Sequence, residues 1–325
     1  MPFLAYLKSQ KAFYAVGSTL HKLPPKVEVS QHFVQHIEDQ QMSFVSFEIA
    51  GQHTYGLWQD EGHWVQVPEA FQARHPDLKS VIAAQALDEL ETLTRQSGQV
   101  VSAAQAQLLP VIPNPGKIFC VGLNYKTHVA ETKRADSEYP AIFTRFADSL
   151  NAHNAPLPHP KETQRFDFEG ELAVIIGQGG RNISQAQAFE HIAGYACFND
   201  GTARDWQRHT HQWIPGKNFP LTGPLGPYMA TRKEIPDVNA LVLQSRLNGQ
   251  VMQHASVSDL IYTLPVIIEY LSGFTQLNPG DVIATGTPGG VGDRREPPVY
   301  MKPGDVIEVE ITGLGTLRNV VSQAV

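Results

Sequence analysis

The chain has 325 residues, more than one average domain, and 42% hydrophobic against 18% charged residues, the composition of a globular protein with a sizeable core. Its 25 Lys and Arg face 32 Asp and Glu, a formal net charge of -7, and no basic cluster exceeds a dipeptide such as Arg294-Arg295, which argues against nucleic acid or an anionic membrane as partner. Cys120 and Cys197 are too few for a disulfide framework and wrongly spaced for a zinc site, no run approaches a membrane span, and MPFLAYLKSQKAFYAV lacks the apolar core and cleavage site of a signal peptide, so the cytoplasm is the expected compartment.

Residues 1–40, with Pro24-Pro25 and scattered polar positions, read as an extension. From Phe44 to Val67, FVSFEIAGQHTYGLWQDEGHWVQV alternates β-branched and aromatic residues with polar ones and breaks at AGQ and DEG, the pattern of a three-stranded meander. LKSVIAAQALDELETLTR, 78–95, has helical spacing of its apolar residues and closes a small N-terminal α+β domain, 41–112. VIPNPGK, whose prolines hold the chain extended, marks a boundary, and 113–325 form a larger β-rich domain. Its strands are expected at KIFCVGL, ELAVIIG, HIAGYACFN, ALVLQSRLNGQVMQ, DVIATG and DVIEVEITGLGTLRNVV, with a hairpin turn at Asn248-Gly249. Two helices are expected among them. One starts from a capping box formed by Ser184 and Gln187, and the other covers about 256–272, ends at Gly273 and has a break or fresh first turn at Pro265. Cys120 and Cys197 sit in apolar strand-like runs, as small buried hydrophobes do. The fold class is α+β, mostly β.

The chemistry concentrates in a few strings. In FDFEGELAVIIG, Glu169 and Glu171 lie two apart on a strand and present adjacent carboxylates on one face, which favours a cation between them. HIAGYACFNDG ends another strand with Asp200, a possible third ligand to Mg²⁺ or Mn²⁺; the bland alternative is a solvated strand face and a turn residue. In VGLNYKTHVAE, His128 and Glu131 share one face of a helical turn, either as a base oriented by a carboxylate or as a surface ion pair. PGKNF places Lys217 after a Pro-Gly turn, suited to a substrate carboxylate or a developing enolate, or simply to the surface. ATGTPGGVGD, with Gly286 and Thr287, is a Gly-rich loop that suits an anion or a tight turn and is not a Walker loop. His209 and His211 of RHTHQW read as solvated or substrate-loop residues.

Taken in order, GLNYxxHxxE, DFEGELAVIIG, NDGTARDWQ, PGKNF, GDVIATGTPGGVG and GDVIEVEIxGLGTLRN make the region 113–321 resemble the fumarylacetoacetate hydrolase superfamily. The resemblance implies a mixed β-roll catalytic domain, usually dimeric, so a homodimer is expected, with Mg²⁺ or Mn²⁺ held by Glu169, Glu171 and Asp200. It implies a His128–Glu131 dyad, a lid around it, and substrate contacts from Arg204, Gln207, Lys217 and Thr287, with Gly286 beside them. Members often carry Lys where FTRFADSL has Arg145; the charge is kept at this substrate-contact position but not the geometry. The reaction so implied is hydrolysis of a C–C bond in an acylpyruvate-type 2-oxo acid. The metal draws electrons into an enolate, Lys217 adds positive charge, and His128, held by Glu131, activates the attacking water. The same enolate also serves an isomerase, hydratase or oxaloacetate-type decarboxylase. A non-catalytic, metal-stapled metabolite binder is the alternative of a different class, and the His-Glu pair speaks against it.

Overall fold

The computed structural model describes residues 43–132 and 138–323, together with the backbone of a short antiparallel hairpin formed by β1 (Phe13–Val16) and β2 (Thr19–Lys22). The rest of the 1–40 extension and part of the segment expected to act as a lid lie outside the described residues.

The expected meander is present as β3 (Phe44–Ile49), β4 (Gln52–Asp60) and β5 (His63–Gln66), paired antiparallel in sequence order. After α1 (Glu69–Arg74), the single helix expected over 78–95 divides into α2 (Leu78–Ala83) and α3 (Leu87–Ser97). The cause is Gln85, whose φ of 55° lies in the left-handed region that an α-helix does not admit. β6 (Gln99–Ser102) and β7 (Ala106–Leu108) complete this part of the sheet.

No break follows at VIPNPGK. Val111 and Ile112 are wholly buried, and Ser46 Oγ donates to the Val111 carbonyl at 2.8 Å. Residues 41–325 cluster as one compact unit. The strands that continue it are β8 (Ile118–Gly122), β9 (Ala141–Arg145), β10 (Leu150–Asn151), β11 (Leu157–His159), β12 (Phe166–Asp167), β13 (Gly170–Ile176), β14 (Ile192–Asn199), β15 (Thr202–Ala203), β16 (Gly223–Thr231), β17 (Val242–Leu247), β18 (Gln250–Ser256), β19 (Val282–Ala284), β20 (Val306–Ile311) and β21 (Gly315–Gln323). Among the described residues the large mixed sheet runs β6-β5-β4-β3-β16-β14-β13-β19-β8-β9, so β3 joins β16 and the strands beyond it through the Met229–Phe44 pairing. A second sheet runs β11-β21-β20-β17-β18.

The two sheets bury a common core. Leu172, Val174 and Ile176 of β13 belong to the same buried cluster as Leu243 of β17, Val309 and Ile311 of β20 and Leu317 of β21. Each such side chain contributes about 1.5–3 kcal/mol when fully buried. Gly170 is small for this reason: a Cβ there would lie 3.3 Å from Val309 and 3.4 Å from Leu243. The Asn248-Gly249 turn joins β17 to β18 with φ of 52° and 80°, as the dipeptide requires. The helix α4 (Lys126–Thr132) follows β8, and α5 (Arg204–Gln207) and α6 (Ile214–Lys217) follow β15. In α7 (Leu264–Phe274), Pro265 is in the first turn, and Leu264, Ile267, Ile268 and Leu271 face the core at helical spacing. The helix ends one residue past Gly273, and 257–259 are a separate 3-10 turn.

The helix expected after Ser184 is reduced to a 3-10 turn, Ala188–His191. Ser184 Oγ donates to the Gln187 side chain at 2.9 Å, so the pair satisfies itself and does not cap a helix. Both cysteines are buried and free; burial pushes the Cys197 thiol up to about 12 and the Cys120 thiol well above its usual value, which suits their structural role.

Candidate active site

The acidic cluster follows from strand register. β13 and β14 pair antiparallel with Gly170 opposite Asn199, so the start of one strand meets the end of the other, and Asp200 N–H donates to the Glu169 carbonyl at 2.9 Å. Period-two alternation carries Glu169 and Glu171 to one face. Ligand oxygens of Glu169, Glu171 and Asp200 consequently lie within 4.8 Å of one another, and all three residues are buried. β19, paired with β13, delivers the loop that begins at Thr285, where Gly286 N–H donates to Glu171 at 2.8 Å and Thr287 Oγ1 to the Gly170 carbonyl at 2.9 Å. Gly286 has a φ of +108°, which reserves the position for glycine.

Three buried cations surround the carboxylates. Lys217 Nζ bridges Glu169 at 2.6 Å and Asp200 at 2.5 Å. Arg145 Nη1 lies 2.6 Å from the other oxygen of Asp200, and Arg204 Nη1 lies 2.6 Å from Glu169. Gly216 makes the lysine placement possible, since a Cβ there would sit 2.4 Å from Gln207 N and 2.6 Å from Ala203 O; only glycine lets α6 press onto α5. Arg204 is fixed in turn by Asp167, which receives its Nε at 2.8 Å and the backbone N–H groups of Gly292 and Asp293 at 2.9 Å each.

The electrostatics divide the two glutamates. Burial works against the charge of Glu169, but Arg204 and Lys217 outweigh it and hold the carboxyl well below its usual range. Burial pushes Glu171 well above that range, and Asp200 and Glu169 add to the effect. Among the described residues Glu171 has no ion pair; its hydrogen bond comes from an uncharged backbone N–H. Lys217 is desolvated too, yet Asp200 and Glu169 keep its ammonium above the ordinary value. An all-oxygen donor set in which one buried carboxylate has no ion pair of its own is what a hard divalent ion satisfies, so the residues fit such an ion.

A cavity of about 330 Å³ opens on this cluster. Glu169, Glu171, Lys217, Arg204, Gln207, Thr287 and His128 line it. His128 Nδ1 lies 2.7 Å from Glu131, whose second oxygen receives Gly290 N–H at 2.9 Å. The dyad is thereby tied to the Gly-rich loop rather than left on the surface.

Two expected substrate contacts take other positions. Arg145 is not among the cavity-lining residues: its side chain is fully enclosed, bonded to Asp200, Ser149, Thr222 and the Gly201 carbonyl, so it orients a carboxylate of the cluster. Gly286 likewise stands behind Glu171. His211 lines the cavity, whereas His209 sits tilted against Trp206 with centroids 4.8 Å apart. Sequence reasoning missed Asp167 although the alternation of D-F-E-G-E signals it. It also missed Gln253, which receives Gly170 N–H and donates to Thr287 from a distant strand with no local signal.

This is a mostly β fold built around a candidate divalent-metal site. The chain belongs to the fumarylacetoacetate hydrolase family, whose profile, described as Fumarylacetoacetate (FAA) hydrolase C-terminal, matches residues 117–322. It is 39% identical over 236 residues to "Oxaloacetate tautomerase fahd2, mitochondrial" of Xenopus laevis, covering 72% of this chain and 74% of that one. It is 40% identical over 222 residues to "Oxaloacetate tautomerase YisK" of Bacillus subtilis (strain 168), covering 67% and 74%. Among solved structures, a fumarylacetoacetate hydrolase from psychrophilic Exiguobacterium antarcticum superposes with a TM-score of 0.76 at 32% identity, over 87% of this chain and 99% of that one. A 5-carboxymethyl-2-hydroxymuconate delta-isomerase from Mycobacterium smegmatis gives 0.69 at 28%, over 87% and 100%. These four carry the names of enzymes, and the Xenopus protein is mitochondrial by name. No helix among the described residues is long and apolar enough to cross a membrane.

Proposed function

We propose that the protein is a divalent-metal-dependent enzyme that interconverts the keto and enol forms of a small 2-oxo diacid of the oxaloacetate class. The observation that carries this is the joint lining of one cavity by His128, Glu169, Glu171 and Lys217, with Glu131 bonded behind His128 and Asp200 behind Lys217. Mg²⁺ or Mn²⁺ held by Glu169, Glu171 and Asp200 would supply Lewis acidity toward the 2-oxo and carboxylate oxygens.

The chain's own groups do the rest. Lys217 offers a fixed positive charge for an oxygen that gains negative charge as the enolate forms. Arg204 and Gln207, joined by a 3.1 Å hydrogen bond, present donors to the substrate carboxylate. Glu131 accepts from Nδ1–H of His128, which leaves Nε2 free to act as base. In the keto-to-enol direction Nε2 removes a proton from the carbon beside the 2-oxo group, and the oxygen gains one from solvent; the reverse direction undoes both transfers. A site that moves only protons needs no further nucleophile. The names of the relatives at about 40% identity support this over C–C hydrolysis. Hydrolysis of an acylpyruvate is the second reading: it uses the same dyad to activate water, and the cavity has room for water beside a small acid. The homodimer expected from the resemblance belongs to the same proposal and is read by light scattering.

The test is to follow enol oxaloacetate by ultraviolet absorbance with Mn²⁺-loaded protein, alongside acylpyruvates. His128→Ala should lower kcat on oxaloacetate by about 10²–10⁴ while metal content and melting temperature hold. Turnover of acylpyruvates with none of the oxaloacetate enol would replace the proposal with the hydrolytic one.

A further inference from the structure

Gln253 ties the start of β13 to the Gly-rich loop from the other sheet. It stands on β18 opposite Ser245 of β17, and the residue is 1% exposed. Its Oε1 receives the Gly170 N–H at 2.9 Å and the Ser245 hydroxyl at 2.8 Å. Its Nε2 donates to Thr287 Oγ1 at 2.7 Å and to the Pro288 carbonyl at 2.9 Å. Every hydrogen-bonding position of the amide is thereby filled. Its orientation follows from its partners, because a reversed amide would set donor against donor at Gly170 and acceptor against acceptor at Pro288.

That orientation fixes the hydroxyl of Thr287. Oγ1 has one hydrogen and two lone pairs, and two protein groups touch it. Gln253 Nε2 brings a hydrogen of its own and so takes a lone pair. The Gly170 carbonyl, 2.9 Å away, can only accept and so takes the hydroxyl hydrogen. Gly170, Gln253 and Thr287 close a ring of three hydrogen bonds. One lone pair of Oγ1 is left, and Thr287 lines the cavity. Toward a ligand this hydroxyl is therefore an acceptor, whereas Arg204 and Lys217 of the same cavity can only donate. An acceptor repels a carboxylate or ketone oxygen and suits a group that carries its own hydrogen. Of the two tautomers of a 2-oxo acid, only the enol has a hydroxyl where the keto form has a carbonyl.

We propose that Gln253 is a positioning residue that holds Thr287 as an acceptor, and that the site thereby selects the hydroxyl-bearing form of its ligand, an enol or a 2-hydroxy acid, over the keto form. This rests on the 2-oxo acid reading of the site. Gln253 acts through Thr287, since it is not itself among the cavity-lining residues.

The test uses two acids matched in charge and shape that the proposed reaction cannot turn over. One is trimethylpyruvate, which has no hydrogen to lose beside its 2-oxo group, and the other is the 2-hydroxy acid obtained by reducing it. Both are titrated calorimetrically into the Mn²⁺-loaded protein, and the ratio of their affinities is compared between chains, so that effects common to both acids cancel. One hydrogen bond sets the scale: Thr287→Val should lower the preference for the hydroxy acid about three- to tenfold relative to the natural chain. Thr287→Ser, which keeps the hydroxyl, should hold it. Gln253→Met should lower it by part of that factor, whereas a merely structural role would weaken both acids equally and show only as a lower melting temperature. If Gln253→Met does not fold, Thr287→Val and Thr287→Ser still decide the acceptor. A ratio that Thr287→Val leaves unchanged or raises overturns the inference, as does binding of neither acid; a ratio that a folded Gln253→Met leaves unchanged overturns the role of Gln253. Turnover of the oxaloacetate enol is read beside the titrations. Turnover without the change in ratio removes this inference and keeps the keto–enol proposal, and the change in ratio without turnover does the reverse.

Discussion

Lys217→Met is the most revealing single change, because this lysine lies where stability, metal affinity and catalysis meet. Its ammonium is 1% exposed and touches Glu169 at 2.6 Å and Asp200 at 2.5 Å, so solvent does not screen it. Removing one partner of a buried pair costs about 3–5 kcal/mol, and at about 2–4 °C per kcal/mol for a chain of this size the metal-free variant should melt on the order of 10 °C lower. The same loss removes a positive charge that repels an incoming divalent ion. At an effective dielectric of about 20, unit charges 4 Å apart interact by about 4 kcal/mol, so even a small surviving fraction of that repulsion amounts to a tenfold gain in metal affinity. Catalysis goes the other way, because the donor for the developing enolate oxygen is gone; kcat should fall by about 10²–10³. Calorimetric titration with Mn²⁺, thermal melts with and without metal, and enol turnover read the three quantities separately. Mn²⁺ should bind more tightly and restore most of the lost stability while leaving the variant nearly inactive. Weaker metal binding would mean that Lys217 organises the triad instead of competing with the ion, and the electrostatic argument would fail.

Two further expectations concern the ligands themselves. Burial raises the Glu171 carboxyl, so in the metal-free protein it keeps its proton above the ordinary carboxylate range, and a metal must displace that proton. The stability this group contributes without metal is full below its unfolded value and is lost as pH rises through its raised folded value, whereas Mn²⁺ affinity should climb with pH over that same window, by up to about tenfold per unit. Titrations in buffers of different ionisation enthalpy should show close to one proton released, and none released would refute the assignment. Gly223→Ala should weaken metal binding, because its Cβ would lie 2.8 Å from Arg145 Nε and displace the guanidinium that anchors Asp200. Overpacking of this kind costs about 1–3 kcal/mol, measurable by denaturant melts, and an unchanged Mn²⁺ isotherm would count against Arg145 as the anchor.

The residues that were legible in the sequence are those whose placement is local. Glu169 and Glu171 announce a shared face by alternation, and Asp200 ends the next strand along, so the antiparallel pairing of β13 with β14 is enough to join them. His128 and Glu131 sit one helical turn apart. What sequence could not supply was long-range pairing. Arg145 lies 55 residues from Asp200 and could as well have faced the cavity; only the seating of β9 beside β8 decides that it turns inward. The boundary read at VIPNPGK is likewise a local inference from prolines, and the union of β3 with β16 overrides it. The helix breaks at Gln85 and after Ser184 turn on one left-handed residue and one side-chain pairing, which apolar periodicity does not register.

The residues that line the cavity stand on different supports. Glu169, Glu171 and Asp200 stand where β13 begins and β14 ends, two strands whose other residues pack into the common core, so altering them disturbs the whole body. Arg208, just after α5, and Arg294, at the end of a 3-10 turn, line the same cavity with half-buried to exposed side chains. Supports of such unequal depth should tolerate change unequally: exchanging the arginines should cost far less stability than exchanging the carboxylates.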